Sequence, residues 1–150
     1  MRPLLLVLLW FLPSAAIADD ELISIQSAHS APVTIQRLQD AIITNGWTIL
    51  STIDHAALSA EFGVRIPART TIAFAFMAGW VKQIIERPTI ALEVPMRVLV
   101  WEDREGVWVT RDTERYYLRS IAGRHEYKAN KGGVRTINEQ IAAMVENVAR

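Results

Sequence analysis

The hydrophobic positions of this 150-residue chain fall into continuous, alternating and helical-period runs, and each kind predicts a different element. After Arg2 comes a continuous run from Leu4 to Leu12, broken by Pro13 and followed by the small-residue site Ala16-Ile17-Ala18. A basic start, a short apolar run and a small-x-small site predict a secretory signal peptide over residues 1–18. The run falls short of the ~20 apolar residues that cross a hydrocarbon core. Residues 22–28 mix Leu22, Ile23 and Ile25 with Ser24, Gln26 and Ser27, which predicts a first strand. Ser30 and Pro32 announce a helix in which Ile35, Leu38 and Ile42 recur at helical spacing until Asn45-Gly46. Trp47–Ile53, rich in β-branched and aromatic residues, reads as the strand that returns from it.

Asp54 is placed to cap a short second helix, with Leu58 and Phe62 one turn apart on its buried side and Gly63 as its left-handed stop. Beyond Pro67, the stretch Ile72–Trp80 has no polar side chain and predicts a strand covered on both faces. A third helix over about 80–86 must end before Pro88. Met96–Trp101 and Val107–Asp112 flank Asp103-Arg104-Glu105-Gly106 as a hairpin with a four-residue loop. That loop pairs Glu102 with Val107, Trp101 with Trp108, Leu99 with Thr110 and Arg97 with Asp112. The opposite face carries Met96, Val98, Val100 and Val109 and is expected against helices. A helix over 114–122 presents Tyr117, Leu118 and Ile121 and stops at Gly123. The polar stretch 128–133 leads to a C-terminal docking helix over 136–149, with Thr136 and Glu139 as a capping box and Ile137, Ile141, Met144 and Val148 as its stripe. The order of elements predicts one α+β domain over 19–150. Its two layers are a mixed β-sheet of about five strands and helices packed mainly on one face.

Composition narrows the chemistry. With 16 Lys+Arg against 16 Asp+Glu the chain is neutral, and no basic cluster is interleaved with aromatics, so nucleic acid is not an expected partner. The absence of cysteine excludes disulfides, thiolate metal sites and cysteine nucleophiles. The export signal implies a periplasmic or secreted protein, free of the membrane once cleaved.

Several stretches occur in a distinctive order: Ile53-Asp54-His55-Ala56-Ala57, then Ile66-Pro67 and Thr70-Thr71, then Pro88 and Ala91-Leu92-Glu93-Val94-Pro95, then Val98-Leu99-Val100-Trp101-Glu102-Asp103. Over roughly residues 24–122 the chain resembles the DUF302 family. The resemblance implies a small α+β domain, one able to pair with a second copy, and no reaction. Many members carry a Gly-Asn-Pro turn after the third strand, where this chain reads Ala78-Gly79-Trp80.

Two groups of residues are candidates for function. Asp54 and His55 stand where a strand gives way to a helix, a place where free amide hydrogens converge; there the histidine could serve as base or metal ligand, or the aspartate simply as a cap. Only His29, His55 and His125 are available, without local ligand spacing, so no metal site and no cofactor is predicted. Gly-x-Ser-x-Gly is absent, and Glu102, Asp103 and Glu105 cluster in a hairpin loop where solvation explains them. No motif fixes a reaction. Trp101 and Trp108, joined by Trp80 and Arg97, are expected to line a ligand-binding or partner face. The reading is an exported, non-catalytic domain that binds a small ligand or a partner protein, or self-associates into a homodimer. The alternative is an enzyme or metal-handling protein using Asp54 and His55 at a cleft.

Overall fold

The computed structural model describes residues 21–150. The expected leader, residues 1–18, lies outside them. The chain forms β1 (Leu22–Ser27), α1 (Ala31–Thr44), β2 (Thr48–Asp54), α2 (His55–Glu61), β3 (Arg69–Ala75), α3 (Met77–Glu86), a 3-10 turn (Pro88–Leu92), β4 (Met96–Glu102) and β5 (Val107–Asp112). A π-helical segment (Tyr116–Ile121) then runs into α4 (Ala122–Arg124), and α5 (Lys131–Ala149) closes the fold. The strands form one sheet in the order β1-β5-β4-β3-β2. Among the described residues no helix is long and apolar enough to cross a membrane.

The α+β architecture is as expected, but the sheet is antiparallel at every pairing rather than mixed. β1 and β2 are joined through α1. Those two strands do run the same way, since four antiparallel steps separate them, yet they occupy opposite edges of the sheet. α2 does not cross the sheet; it closes a return between the adjacent strands β2 and β3.

The core lies between one sheet face and the pair α1 and α5. Leu38 and Ile42 from α1, and Ile141, Met144, Val145 and Val148 from α5, cover Ile72, Phe74, Val98, Val100 and Val109. Trp47 stacks on Phe74 with ring centroids 5.3 Å apart and planes at 9°. The end of α5 is tied to the end of β1 by the Ala28 amide, which donates to the Ala149 carbonyl at 2.7 Å.

Four local expectations change. The apolar run from Ile72 is split, its first part finishing β3 at Ala75 and its second opening α3 at Met77, because a continuous run carries no period to mark the boundary. Leu58 on α2 and Phe62 just past its end are 46% and 83% exposed, since this seven-residue helix lies beside β3 instead of over the core. The last helix starts at Lys131, not at Thr136. Asn130 caps it by accepting from the Gly133 amide at 3.2 Å, while Thr136, inside the helix, donates back to the Gly132 carbonyl. The helix expected over 114–122 is instead π-wound over 116–121 and continues past Gly123 to Arg124.

Candidate functional site

The hairpin forms with Trp101 opposite Trp108, Leu99 opposite Thr110 and Glu102 opposite Val107. The two indoles stack at 6.0 Å on the face of the sheet away from α1 and α5, half-buried. Neither ring N–H is free: Trp101 Nε1 donates to Thr110 Oγ1 at 2.7 Å and Trp108 Nε1 to Asp103 Oδ1 at 3.0 Å. Asp103 Oδ1 also accepts from the Glu105 and Gly106 amides, and Gly106 turns the loop at φ 142°. The bond from Trp108, joined by those amides, holds the Asp103 carboxyl below the usual carboxylate range. At the far end of the strand, burial raises the Asp112 carboxyl above that range, and the charge of the exposed Arg97 only partly offsets it.

Asp54 is the cap of α2, its Oδ1 accepting from the Ala56 and Ala57 amides at 2.9 and 3.0 Å. His55 Nε2 lies 2.9 Å from Thr71 Oγ1, on the same open side of the sheet as the tryptophan pair. Both side chains are exposed at the rim rather than in a cleft. Among the described residues no three His, Cys, Asp or Glu side chains converge to hold a metal ion.

Trp80 is elsewhere. It lies on the helical side, on the wall of a cavity of about 270 Å³ between α3, the 3-10 turn, the π-helical segment and the start of α5. Phe76, Trp80, Met96, Tyr117 and Ile137 supply most of its character, and Gln83, Asn130 and Asn138 its polar points. The expected grouping of Trp80 with Trp101 and Trp108 is therefore not realised, because the sheet separates them. The reason is the split of the Ile72–Trp80 run, which carries Trp80 onto α3.

Two polar atoms of wall residues are shut off from water without a partner among the described residues: Trp80 Nε1 and, three positions on, Gln83 Oε1. Burial in this region also raises the Tyr117 phenol well above its ordinary pKa, so it stays protonated and neutral. Arg111 reaches the wall through Asn138, whose Oδ1 accepts from its Nη1 at 2.8 Å.

One wall is held by a cluster around the buried Glu93 and His125, with Thr89 and Arg124 at its exposed edge, that the sequence did not disclose. Glu93 Oε1 accepts from Arg124 Nη1 at 3.0 Å and lies 2.9 Å from His125 Nε2, and His125 Nδ1 lies 2.9 Å from Thr89 Oγ1. These contacts clamp the 3-10 turn to α4. Glu126, at φ 49°, then reverses the chain so that Tyr127 returns to the cavity. The available signal was a glutamate inside the apolar segment Ala91-Leu92-Glu93-Val94-Pro95.

A family model described as domain of unknown function DUF302 matches residues 23–148. The chain belongs to the DUF302 family. The crystal structure of an uncharacterized conserved DUF302 protein from Bacillus stearothermophilus superposes with a TM-score of 0.72 at 14% identity, covering 86% of this chain and 98% of that one. That likeness establishes the shared DUF302 fold. The chain is also 33% identical over 99 residues, 65% of its length, to Fluoride-specific ion channel FluC 1 of Brucella suis biovar 1 (strain 1330), and likewise to FluC 1 of Brucella abortus biovar 1 (strain 9-941). The match spans 39% and 37% of those curated relatives, so well over half of each lies outside it.

Proposed function

We propose that this DUF302 domain is an exported, non-catalytic binding module whose ligand, a small apolar or amphipathic molecule, enters the cavity between α3 and α5. One observation carries the reading: a space of about 270 Å³, walled mainly by aromatic and aliphatic side chains with a few polar points, has the lining of a small-molecule site and lies at the small end of the usual size range. A shallower depression between α1 and α5, bordered by Arg37, Asp40 and Asn45, lacks that character. Channel activity is not carried over from the relatives named as fluoride channels, because most of each relative has no counterpart in this match. Export rests on the leader, with N-terminal sequencing expected to start at Asp19.

The test is native mass spectrometry of protein purified without detergent, beside a Val134→Trp variant that fills the cavity. A retained organic mass, or saturable uptake of 1-octanol, is expected in the parent protein and absent from the variant. Bare chains that also take up no 1-octanol overturn the reading.

Self-association is a second reading, favoured by the half-buried Trp101–Trp108 stack on the open sheet face. Under it, Trp101→Ala lowers the association constant in sedimentation experiments. A monomer at all concentrations ends that reading. The enzyme or metal alternative at Asp54 and His55 stands on fewer observations, since capping already explains the aspartate.

A further inference from the structure

The ligand's chemical class follows from what the cavity wall offers and what it lacks. We infer that the cavity selects an uncharged amphiphile with a hydroxyl group and a body of up to about ten carbon atoms, an inference that rests on the cavity being a binding site.

Charge is the first discriminator. Among the described residues no acidic, basic or histidine side chain lines the cavity. An ionic head placed there would lose its hydration and gain no counter-charge, which is the most costly form of burial. The buried guanidinium of Arg111 stands behind the wall with Nη1 committed to Asn138 Oδ1 and to the Asp112 carbonyl. Its Nε has no partner among the described residues, but Arg111 is not a lining residue.

Hydrogen-bonding type is the second. The two unpartnered atoms on α3 are one donor, Trp80 Nε1–H, and one acceptor, Gln83 Oε1, roughly a turn apart. A hydroxyl is the smallest group that accepts from the first and donates to the second. A carboxylate only accepts, and would set negative charge against Gln83 Oε1; an ammonium only donates, and would face the Trp80 N–H. Both atoms are closed to a water-sized group, from the cavity side as from outside, so binding requires the Trp80 and Gln83 side chains to turn toward the ligand. The gain is the pairing of groups otherwise left buried and unsatisfied.

Size is the third. A cavity of about 150 Å³ accommodates benzene, so about 270 Å³ has room for roughly ten or eleven non-hydrogen atoms in proportion.

The experiment is calorimetric titration at pH 7.5 of the mature protein with four probes of one chain length: 1-octanol, 1-fluorooctane, octanoate and octylammonium. One 1-octanol per chain is expected, at least about tenfold tighter than 1-fluorooctane, with both ions weaker still. In the double variant Trp80→Phe with Gln83→Leu, 1-octanol is expected to fall to the 1-fluorooctane level while 1-fluorooctane is unchanged. Gln83→Leu alone, which keeps the large ring in place, should lose part of the preference and guards against a double variant that fails to fold. Equal binding of 1-octanol and 1-fluorooctane, tighter binding of either ion, or an undiminished preference in a folded double variant overturns the hydroxyl class while leaving the cavity as a binding site. Failure of all four probes on folded protein overturns the cavity reading, and this inference with it.

Discussion

The helical layer over the sheet is built in two ways. In the half made by α1 and α5, Leu38, Ile42 and Val145 are completely buried against Phe74, Val98 and Val109, and the Trp47 ring lies flat on Phe74. In the half made by α3, the 3-10 turn and the π-helical segment, a cavity remains, two buried polar atoms have no partner among the described residues, and Glu93 is buried beside His125 and Arg124. The first half satisfies the requirement for close packing that any small domain meets. The second departs from it, and such departures gather where a protein binds something. π-helical turns are rare and are frequent at functional sites, and this one borders the hollow half.

Breaking the packed half should have the largest effect. Phe74→Ala removes a fully buried ring and is expected to cost about 3–5 kcal/mol in denaturant unfolding. A loss below about 1 kcal/mol would show that this half is no denser than the other. In the hollow half, His125→Leu removes a contact to a buried carboxylate and is expected to cost about 1.5–3 kcal/mol. It should also loosen the wall, read as faster amide exchange across the 3-10 turn.

Tyr117 gives the hollow half a pH signature. Because burial raises its folded pKa, its contribution is complete below the ordinary tyrosine value of about 10 and is lost as pH rises above it. Stability should fall between pH 10 and 12 by up to about 1.4 kcal/mol per pH unit, and Tyr117→Phe should flatten that slope. An unchanged slope would place the alkaline sensitivity on other residues. At the sheet rim, Asp54→Ala removes the cap of α2 and should cost about 1 kcal/mol by thermal unfolding, with little effect on cavity binding. Loss of 1-octanol uptake in that variant would link rim and cavity, which the geometry keeps apart.

Much of this was legible in the sequence because it depends on residues near each other in the chain. The hairpin register follows from a four-residue loop, the Asp54 cap from one side chain two and three positions before its amides, and the α5 stripe from helical period. The misplacements share a cause. Ile72–Trp80 is uniformly apolar, so its pattern does not show where β3 ends and α3 begins, and by itself it does not reveal that Trp80 lies on the helical side of the sheet. Leu58 and Phe62 have helical spacing, but spacing does not say whether a core lies beneath them.

By itself the sequence determined the element types, the α+β class, the family and the pairing of the tryptophan hairpin, all set by local period, turn chemistry and motif order. The tertiary structure alone decided that the sheet is antiparallel throughout, that Trp80 parts from Trp101 and Trp108, and that Thr89, Glu93, Arg124 and His125 meet. It alone formed the cavity, whose walls come from segments between Phe76 and Asn138. A void is a property of how surfaces fail to meet, and no single stretch of chain encodes it.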